Sequence, residues 1–179
     1  EPACFIGLGL QSGTHAPGDK LGFAEVLRAG HNTMLAHGRS VQVIRAQARR
    51  KPVVGMAPCG RISAPATTSP ADIEAARFKT FDVFTKDVWN FAYWMDPMIL
   101  GHYPEGALKE FGADMCEVRP GDMETICQPL DFFGMNIYNC GVVRADASGK
   151  PENVPRPVGH PMTTMEWFVC PEVAYWGPR

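Results

Sequence analysis

The sequence predicts an α/β protein with parallel strands, because two short apolar runs alternate with two longer helical patterns. The apolar runs are residues 53–57 and 130–138, and the helical patterns cover residues 22–49 and 70–93. Each helical pattern is long enough to cross back over a sheet, as the connection between parallel strands requires. The order helix, strand, helix, strand therefore favours a parallel sheet covered by helices.

The first 57 residues are predicted to form a loop, a helix and a strand. Residues 1–21 are predicted to form an irregular loop, because glycine and proline interrupt them repeatedly. Apolar residues then recur at three- and four-residue steps over 22–49, which predicts a helix with Gly30 at a close-packing point and an end at Lys51-Pro52. The run 53–57 predicts a strand buried on both faces, as in a parallel sheet.

A polar loop over residues 58–70 leads into the second predicted helix, 70–93. Ser69 is placed to act as its N-cap, and Pro70 suits the first helical position because that position needs no N–H donor. Pro97 is predicted to end this helix, since the residue before a proline avoids the helical conformation.

A short helix over 105–111 precedes the second predicted strand, 130–138, and a loop is predicted over 144–164. Side chains alternate along a strand, so Asn136 and Tyr138 share one face. Both lie at the carboxyl end of the strand, where polar groups of a parallel barrel converge on a substrate. The pattern makes these two residues candidates for a site, although a polar strand end is also ordinary.

Composition narrows the function classes. The chain has 179 residues, 45% of them hydrophobic and 20% charged, with 18 glycines and 16 prolines, which predicts a globular protein with long structured loops. The formal net charge of −2 gives no electrostatic footprint for nucleic acid or an acidic membrane surface. No apolar stretch is long enough to span a membrane.

The cysteines and histidines give no metal site. The six cysteines contain no C-x-x-C pair and predict buried or half-buried thiols in a reducing, cytoplasmic compartment. His31 and His37 are six residues apart on a helix and face different directions, so they do not form a ligand pair. We expect His31 to hydrogen-bond with Asn32 and His37 to pack against the helix core.

A series of short motifs resembles the middle third of family 1 glycoside hydrolases, the β-glucosidase family, and their order along the chain matches that family. They are, in order, Glu1-Pro2, Gly13-Thr14-His15-Ala16-Pro17-Gly18, His31-Asn32, Trp94-Met95-Asp96-Pro97 with Gly101-His102-Tyr103-Pro104, Leu130 to Tyr138, and Met165-Glu166-Trp167 with Pro171-Glu172. Each motif is weak alone, and the series is specific. The resemblance implies a retaining β-glycosidase that needs no metal or organic cofactor.

The resemblance also implies roles for single residues. Glu1 matches the general acid/base, which protonates the glycosidic oxygen and then deprotonates water. Asn136 and Tyr138 match a strand end whose tyrosine donates a hydrogen bond to the nucleophilic carboxylate. Trp167 matches an aromatic platform for the leaving group, and the neighbouring Glu166 is assigned to substrate binding. Glu166 departs from the family, which usually has Gly or Asp there, so the leaving-group preference does not carry over.

The implied fold is part of a single (β/α)8 barrel domain covering residues 1–179, from the end of strand four to beyond strand six. A complete barrel takes about 250 residues, so we expect exposed apolar sheet faces, a nucleophile outside these residues, and no activity of this chain alone. Its partners would be a β-glucoside or oligosaccharide substrate and the remaining part of the barrel. The alternative is a non-catalytic carbohydrate-binding or scaffold fragment with the same fold.

Overall fold

The computed structural model describes residues 2–176, which form two compact units. The first unit comprises the described residues through Cys59 together with Val83–Asn136, and the second comprises Gly60–Asp82 and the described residues from Ile137 on. The helices are α1 (Phe23–Gln47), α2 (Pro70–Phe81), α3 (Phe91–Ile99), α4 (Glu105–Phe111), α5 (Asp122–Ile126) and α6 (Val173–Trp176). The strands are β1 (Gly55–Met56), β2 (Ser63–Pro65), β3 (Phe132–Phe133), β4 (Gly141–Ala145) and β5 (Pro151–Val154).

The first unit is built on α1, which confirms the predicted helix. Its buried face includes Leu27 and Met34, and it packs in one core with the aromatic side chains of α3 and α4. Gly30 is a close-packing point as predicted, because a Cβ there would lie 3.0 Å from Tyr93 Oη. Within residues 2–176, no helix combines the length and the apolar character needed to cross a membrane.

The predicted loop over residues 1–21 is wrong in its first half. Cys4–Ser12 form a π-helix that ends at Gly13, whose φ of 68° is left-handed. The glycines that suggested a loop serve instead for close packing: a Cβ on Gly7 would lie 2.7 Å from Trp89 Nε1. Such contacts are set by the tertiary structure and leave no local signal in the sequence.

The two predicted strands do pair in parallel, but over only two residues each. Gly55 lies opposite Phe132 and Met56 opposite Phe133. The prediction that the first strand is buried on both faces is wrong, since Gly55 is only half-buried and Val53, just before β1, is largely exposed. Phe132 and Phe133 are 52% and 39% exposed, which confirms the expectation of exposed apolar sheet faces.

The second unit holds a three-stranded sheet in the order β2, β4, β5, with α2 packed on it. β2 and β5, and the end of β4, fall where the sequence predicted loops, so those predictions are wrong. The turn between β4 and β5 explains the pairing: Asp146 Oδ1 accepts hydrogen bonds from the backbone N–H groups of Ser148 and Lys150, and Gly149 adopts a φ of 83°. This turn chemistry is readable from the sequence.

The start of α2 is as predicted, and its end is not. Ser69 Oγ accepts a hydrogen bond from the Asp72 N–H at 3.2 Å, with Pro70 in the first turn. The helix ends at Phe81 rather than near residue 93, and a new helix, α3, begins after Asn90, whose side chain accepts a hydrogen bond at the helix start. The prediction that Pro97 ends a helix is also wrong, since α3 continues past Pro97 to Ile99.

Candidate functional site

Two aromatic residues predicted for the site, Tyr138 and Trp167, lie together in the second unit. Their ring centroids are 5.6 Å apart with an interplanar angle of 38°. Tyr138 is 58% and Trp167 40% exposed, so both residues are accessible to solvent. Paired aromatic faces of this kind suit the apolar C–H surface of a sugar or an aryl leaving group.

A tight hairpin presents Trp167. Met162 and Phe168 pair in antiparallel fashion, and Thr163 N–H donates to the Trp167 carbonyl oxygen at 2.8 Å. Thr163 also closes the turn, because its carbonyl accepts from Glu166 N–H at 3.0 Å and its Oγ1 from Trp167 N–H at 3.3 Å. The indole therefore extends from a backbone that hydrogen bonds fix on both sides.

Glu166 occupies the position in this hairpin that requires a left-handed backbone. Its φ is 61°, and it is the one described residue other than glycine with a positive φ. A turn followed by a left-handed residue is a common hairpin geometry in which glycine usually takes that place. Glu166 is exposed and directly precedes Trp167, the residue whose ring packs against Tyr138.

Asn136 belongs to the first unit, three residues after β3. Its backbone N–H donates to the Pro58 carbonyl at 3.0 Å, and its side-chain Nδ2 donates to the Ala57 carbonyl at 3.0 Å. The residue thus extends the parallel pairing of β1 and β3 towards their carboxyl ends, where it forms a single bridge with Cys59. The side-chain Nδ2 of Asn136 therefore helps to hold this strand end in place.

Glu1, the predicted acid/base, lies outside the described residues. Ala3, two residues further along the chain, is fully buried in the first unit. Gly134, on the predicted site face of the second strand, packs closely: a Cβ there would lie 3.3 Å from the Ala57 Cβ.

Sequence reasoning missed a buried polar network in the first unit. His31 does not pair with Asn32, which is exposed; its Nδ1 contacts Tyr103 Oη at 2.8 Å and its Nε2 contacts Asp122 Oδ2 at 3.1 Å. The Arg119 backbone N–H and His31 hold the pKa of Asp122 below its usual value, and burial raises the pKa of Tyr103. The three residues are far apart in sequence, so no local pattern predicts the network.

This network forms one wall of a cavity of about 560 Å³ in the first unit, which is lined among others by Arg28, His31, Leu35, Arg39, Cys116 and Asp122. His37, six residues after His31 on α1, is half-buried, and burial lowers its pKa, in agreement with the predicted packed histidine. All six cysteines are buried or half-buried, which confirms the predicted burial of the thiols.

Comparison with known proteins decides the family. Residues 1–172 match the sequence model of the family described as Glycosyl hydrolase family 1. The chain belongs to glycosyl hydrolase family 1. It is 32% identical over 178 residues to beta-glucosidase A of Thermotoga maritima, and 33% identical over 173 residues to a beta-glucosidase of Agrobacterium sp.. These alignments cover 98% and 94% of this chain, and 38% and 36% of the relatives.

Solved structures also resemble this chain. The family 1 β-glucosidase of Thermotoga maritima has a TM-score of 0.73 at 32% identity, with 98% of this chain and 38% of that chain covered. The virulence factor SghA of Agrobacterium tumefaciens has a TM-score of 0.74 at 30% identity, covering 99% and 39%. SghA has also been solved with its substrate analog salicin.

These structural similarities confirm the predicted fold class, a partial α/β barrel. Among the described residues the barrel is not closed, and the sheets have two and three strands. The chain spans about 38% of the length of the relatives it matches. The predicted resemblance to the β-glucosidase family is confirmed over nearly the whole chain.

Proposed function

We propose that this chain forms part of the active site of a retaining β-glycosidase that hydrolyses terminal β-D-glucosyl or β-D-galactosyl residues. The observation that carries the proposal is the family match over residues 1–172. The exposed aromatic pair of Tyr138 and Trp167, 5.6 Å between ring centroids, supports it, since a sugar or aryl group can stack there.

In this proposal Glu1 is the acid/base. A glycosidic oxygen is a poor leaving group until it is protonated, and the same carboxylate then deprotonates the water that hydrolyses the glycosyl-enzyme. Its carboxyl group would lie about 5 to 5.5 Å from the nucleophile, as retention requires. The pKa of Glu1 would be raised while the nucleophile is charged and would fall once that charge is esterified.

The other site residues bind and orient. Tyr138 would donate its O–H to the nucleophilic carboxylate, and Asn136 would hold the strand end from which Tyr138 follows. Trp167 would form the platform for the leaving group, with the exposed carboxylate of Glu166 beside it. No step in this scheme calls for a metal or an organic cofactor.

We further propose that residues 1–179 act within one catalytic barrel domain, with the remaining part of the barrel as partner. The exposed faces of Phe132 and Phe133 support this, because large exposed apolar surface usually marks a contact site. A cytoplasmic location is also proposed, supported by six cysteines that are free thiols.

A hybrid enzyme tests the proposal. The 179 residues replace the matching segment of the Thermotoga maritima β-glucosidase, and hydrolysis is measured with a dinitrophenyl β-glucoside and with an alkyl β-glucoside. Glu1→Gln should slow the alkyl glucoside by about 10²- to 10⁴-fold, because this leaving group needs a proton. The dinitrophenyl glucoside should be slowed far less, because dinitrophenolate departs without protonation.

Two controls make the result specific to position 1. Glu74→Gln changes an exposed carboxylate on α2 and should leave both rates unchanged. Azide should accelerate turnover of the dinitrophenyl glucoside by the Glu1→Ala hybrid, since azide attacks the glycosyl-enzyme without deprotonation. Equal losses on both substrates would contradict the assignment. A hybrid that binds salicin but turns over neither glucoside would favour the non-catalytic carbohydrate-binding fragment instead.

A further inference from the structure

The second unit contains a buried pair of thiols that the glycosidase proposal does not use. Cys140 lies directly before β4, and Cys170 lies three residues before α6. The two residues are 6% and 7% exposed, and their Sγ atoms lie within 4.8 Å of each other. Cys170 Sγ–H donates to the Cys140 carbonyl oxygen at 3.3 Å, which ties the two residues together.

A single guanidinium group contacts both sulfurs. Arg156 Nη2 lies 3.0 Å from Cys170 Sγ and 3.6 Å from Cys140 Sγ. Its Nη1 donates to Glu172 Oε1 at 2.9 Å, and the arginine side chain is only 10% exposed. A buried cation fixed in this way stabilises negative charge on sulfur, which is the reactive form of a cysteine.

The same geometry argues against a metal ion at this cluster. Within residues 2–176, Cys140, Cys170 and Glu172 are the only group of three or more His, Cys, Asp or Glu side chains whose ligand atoms lie close enough together to hold a metal ion. The guanidinium of Arg156 already contacts an atom of each, and a divalent ion placed among them would meet that positive charge at close range. The site is therefore a dithiol with its own counter-cation.

We propose that Cys140 and Cys170 are a redox pair that forms a reversible disulfide when a hydroperoxide oxidises them. Closure requires the sulfurs to approach from within 4.8 Å to about 2.05 Å. Both cysteines lie next to glycine or proline, at Gly141 and Pro171, outside the regular part of any strand or helix. The bond would join the two ends of the segment that carries β4, β5 and the Trp167 hairpin.

With hydrogen peroxide as oxidant, the disulfide forms in two steps. The Cys170 thiolate attacks one peroxide oxygen, the O–O bond breaks, and the departing hydroxide takes up the proton released by that thiol, which gives a sulfenic acid and one water. Cys140 sulfur then attacks the sulfenic sulfur and displaces hydroxide, which leaves with the Cys140 proton as a second water. Two thiols are oxidised, and one peroxide is reduced to two waters.

The two cysteines differ in environment, which sets the order of these steps. Burial and the neighbouring Cys170 raise the pKa of Cys140 to about 12. The shorter guanidinium contact is made with Cys170. Cys170 is thus the sulfur that meets the peroxide first, and Cys140 is the resolving thiol that reacts once a sulfenic acid lies beside it.

Thiol mapping by mass spectrometry on the 179-residue chain tests the proposal. After graded hydrogen peroxide, the chain is unfolded, alkylated with iodoacetamide and digested without reduction. We expect two of the six alkylatable cysteines to be lost together, recovery of one linked peptide pair containing Cys140 and Cys170, and restoration of both thiols by dithiothreitol. Absence of this linked pair at doses that oxidise other cysteines would overturn the proposal.

Variants and a zinc titration complete the test. In Cys140→Ser, Cys170 should progress to sulfinic acid because no resolving thiol is present, whereas Cys127→Ser, which removes a half-buried cysteine of the first unit, should leave the linked pair intact. Linkages spread over all cysteines in the wild-type chain would also refute a specific pair. Stoichiometric zinc binding that blocks both alkylation and oxidation of Cys140 and Cys170 would show a metal site in its place.

Discussion

Replacing Glu166 by glycine should stabilise the hairpin that presents Trp167. The backbone at Glu166 is left-handed, with a φ of 61°, and in this conformation a Cβ crowds the following carbonyl oxygen. Glycine has no Cβ and adopts this φ freely. The hydrogen bonds that close the hairpin involve backbone atoms and Thr163, so the substitution removes none of them.

The expected gain follows from two opposing effects. A non-glycine residue in the left-handed region costs about 1–2 kcal/mol. Glycine loses more conformational freedom on folding, which costs about 0.5–1 kcal/mol. The net stabilisation of the hairpin by Glu166→Gly is therefore about 0.5–1 kcal/mol, and opening of the hairpin should become about two- to fivefold rarer.

Hydrogen exchange of the Thr163 amide measures this opening directly, because that N–H donates to the Trp167 carbonyl within the hairpin. Exchange should slow by about two- to fivefold in Glu166→Gly. Glu166→Ala is the matched control: it removes the carboxylate but keeps the Cβ, so its exchange rate should stay close to that of the wild type. Glu166→Asn should lie between them, since asparagine tolerates the left-handed region better than most residues.

Equal exchange rates in the glycine and alanine variants would refute the reasoning, because the effect would then belong to the side chain and not to φ. In the hybrid enzyme the same two variants distinguish the loss of a carboxylate contact with the leaving group from the change in the stability of the hairpin. If the carboxylate of Glu166 contacts the leaving group, both variants should raise KM to the same extent, although only one of them stabilises the hairpin.

Three further perturbations test the packing and the electrostatics. Gly38→Ala should destabilise the chain by about 1–3 kcal/mol in urea unfolding, because the new Cβ would collide with the backbone of α5, whereas Gly141→Ala, which has open space, should have little effect. Peroxide-oxidised chain with Cys140 linked to Cys170 should unfold with about 3–4 kcal/mol more stability than reduced chain, for a closed loop of about 30 residues. A backbone N–H and an arginine lower the pKa of Asp131 in the folded state. The contribution of Asp131 to the free energy of unfolding is therefore present above its unfolded pKa and is lost as the pH falls below about 4. Asp131→Asn should flatten the fall of Tm in that acidic range.

Regular, local signals in the sequence were sufficient for the main helices. Repeated apolar spacing identified α1, and Ser69-Pro70 identified the start of α2, because both depend on neighbours within one or two turns. The end of α2 was missed although Asn90, which caps α3, is itself a local signal. A capping residue inside an apolar pattern indicates two helices where periodicity alone suggests one.

Features that depend on distant partners were not predictable in this way. The π-helix at Cys4–Ser12 forms where Gly7 packs against Trp89, and His31 finds Tyr103 and Asp122 across the core. The strands were identified by their apolar runs, but their paired lengths depend on which partner strand lies alongside. The same limit applies to the site: spacing along one strand indicated Asn136 and Tyr138, whereas the closeness of Tyr138 to Trp167 is visible only in the folded unit.

The departure from the family at position 166 has two physical effects that must be kept apart. It adds a carboxylate beside Trp167, which bears on the charge that a leaving group would meet, and it places a Cβ where the hairpin requires a left-handed backbone. The first effect changes what the surface binds, and the second changes how often the surface is formed. A change in substrate preference can be assigned to the carboxylate only if it persists in both the alanine and the glycine variants.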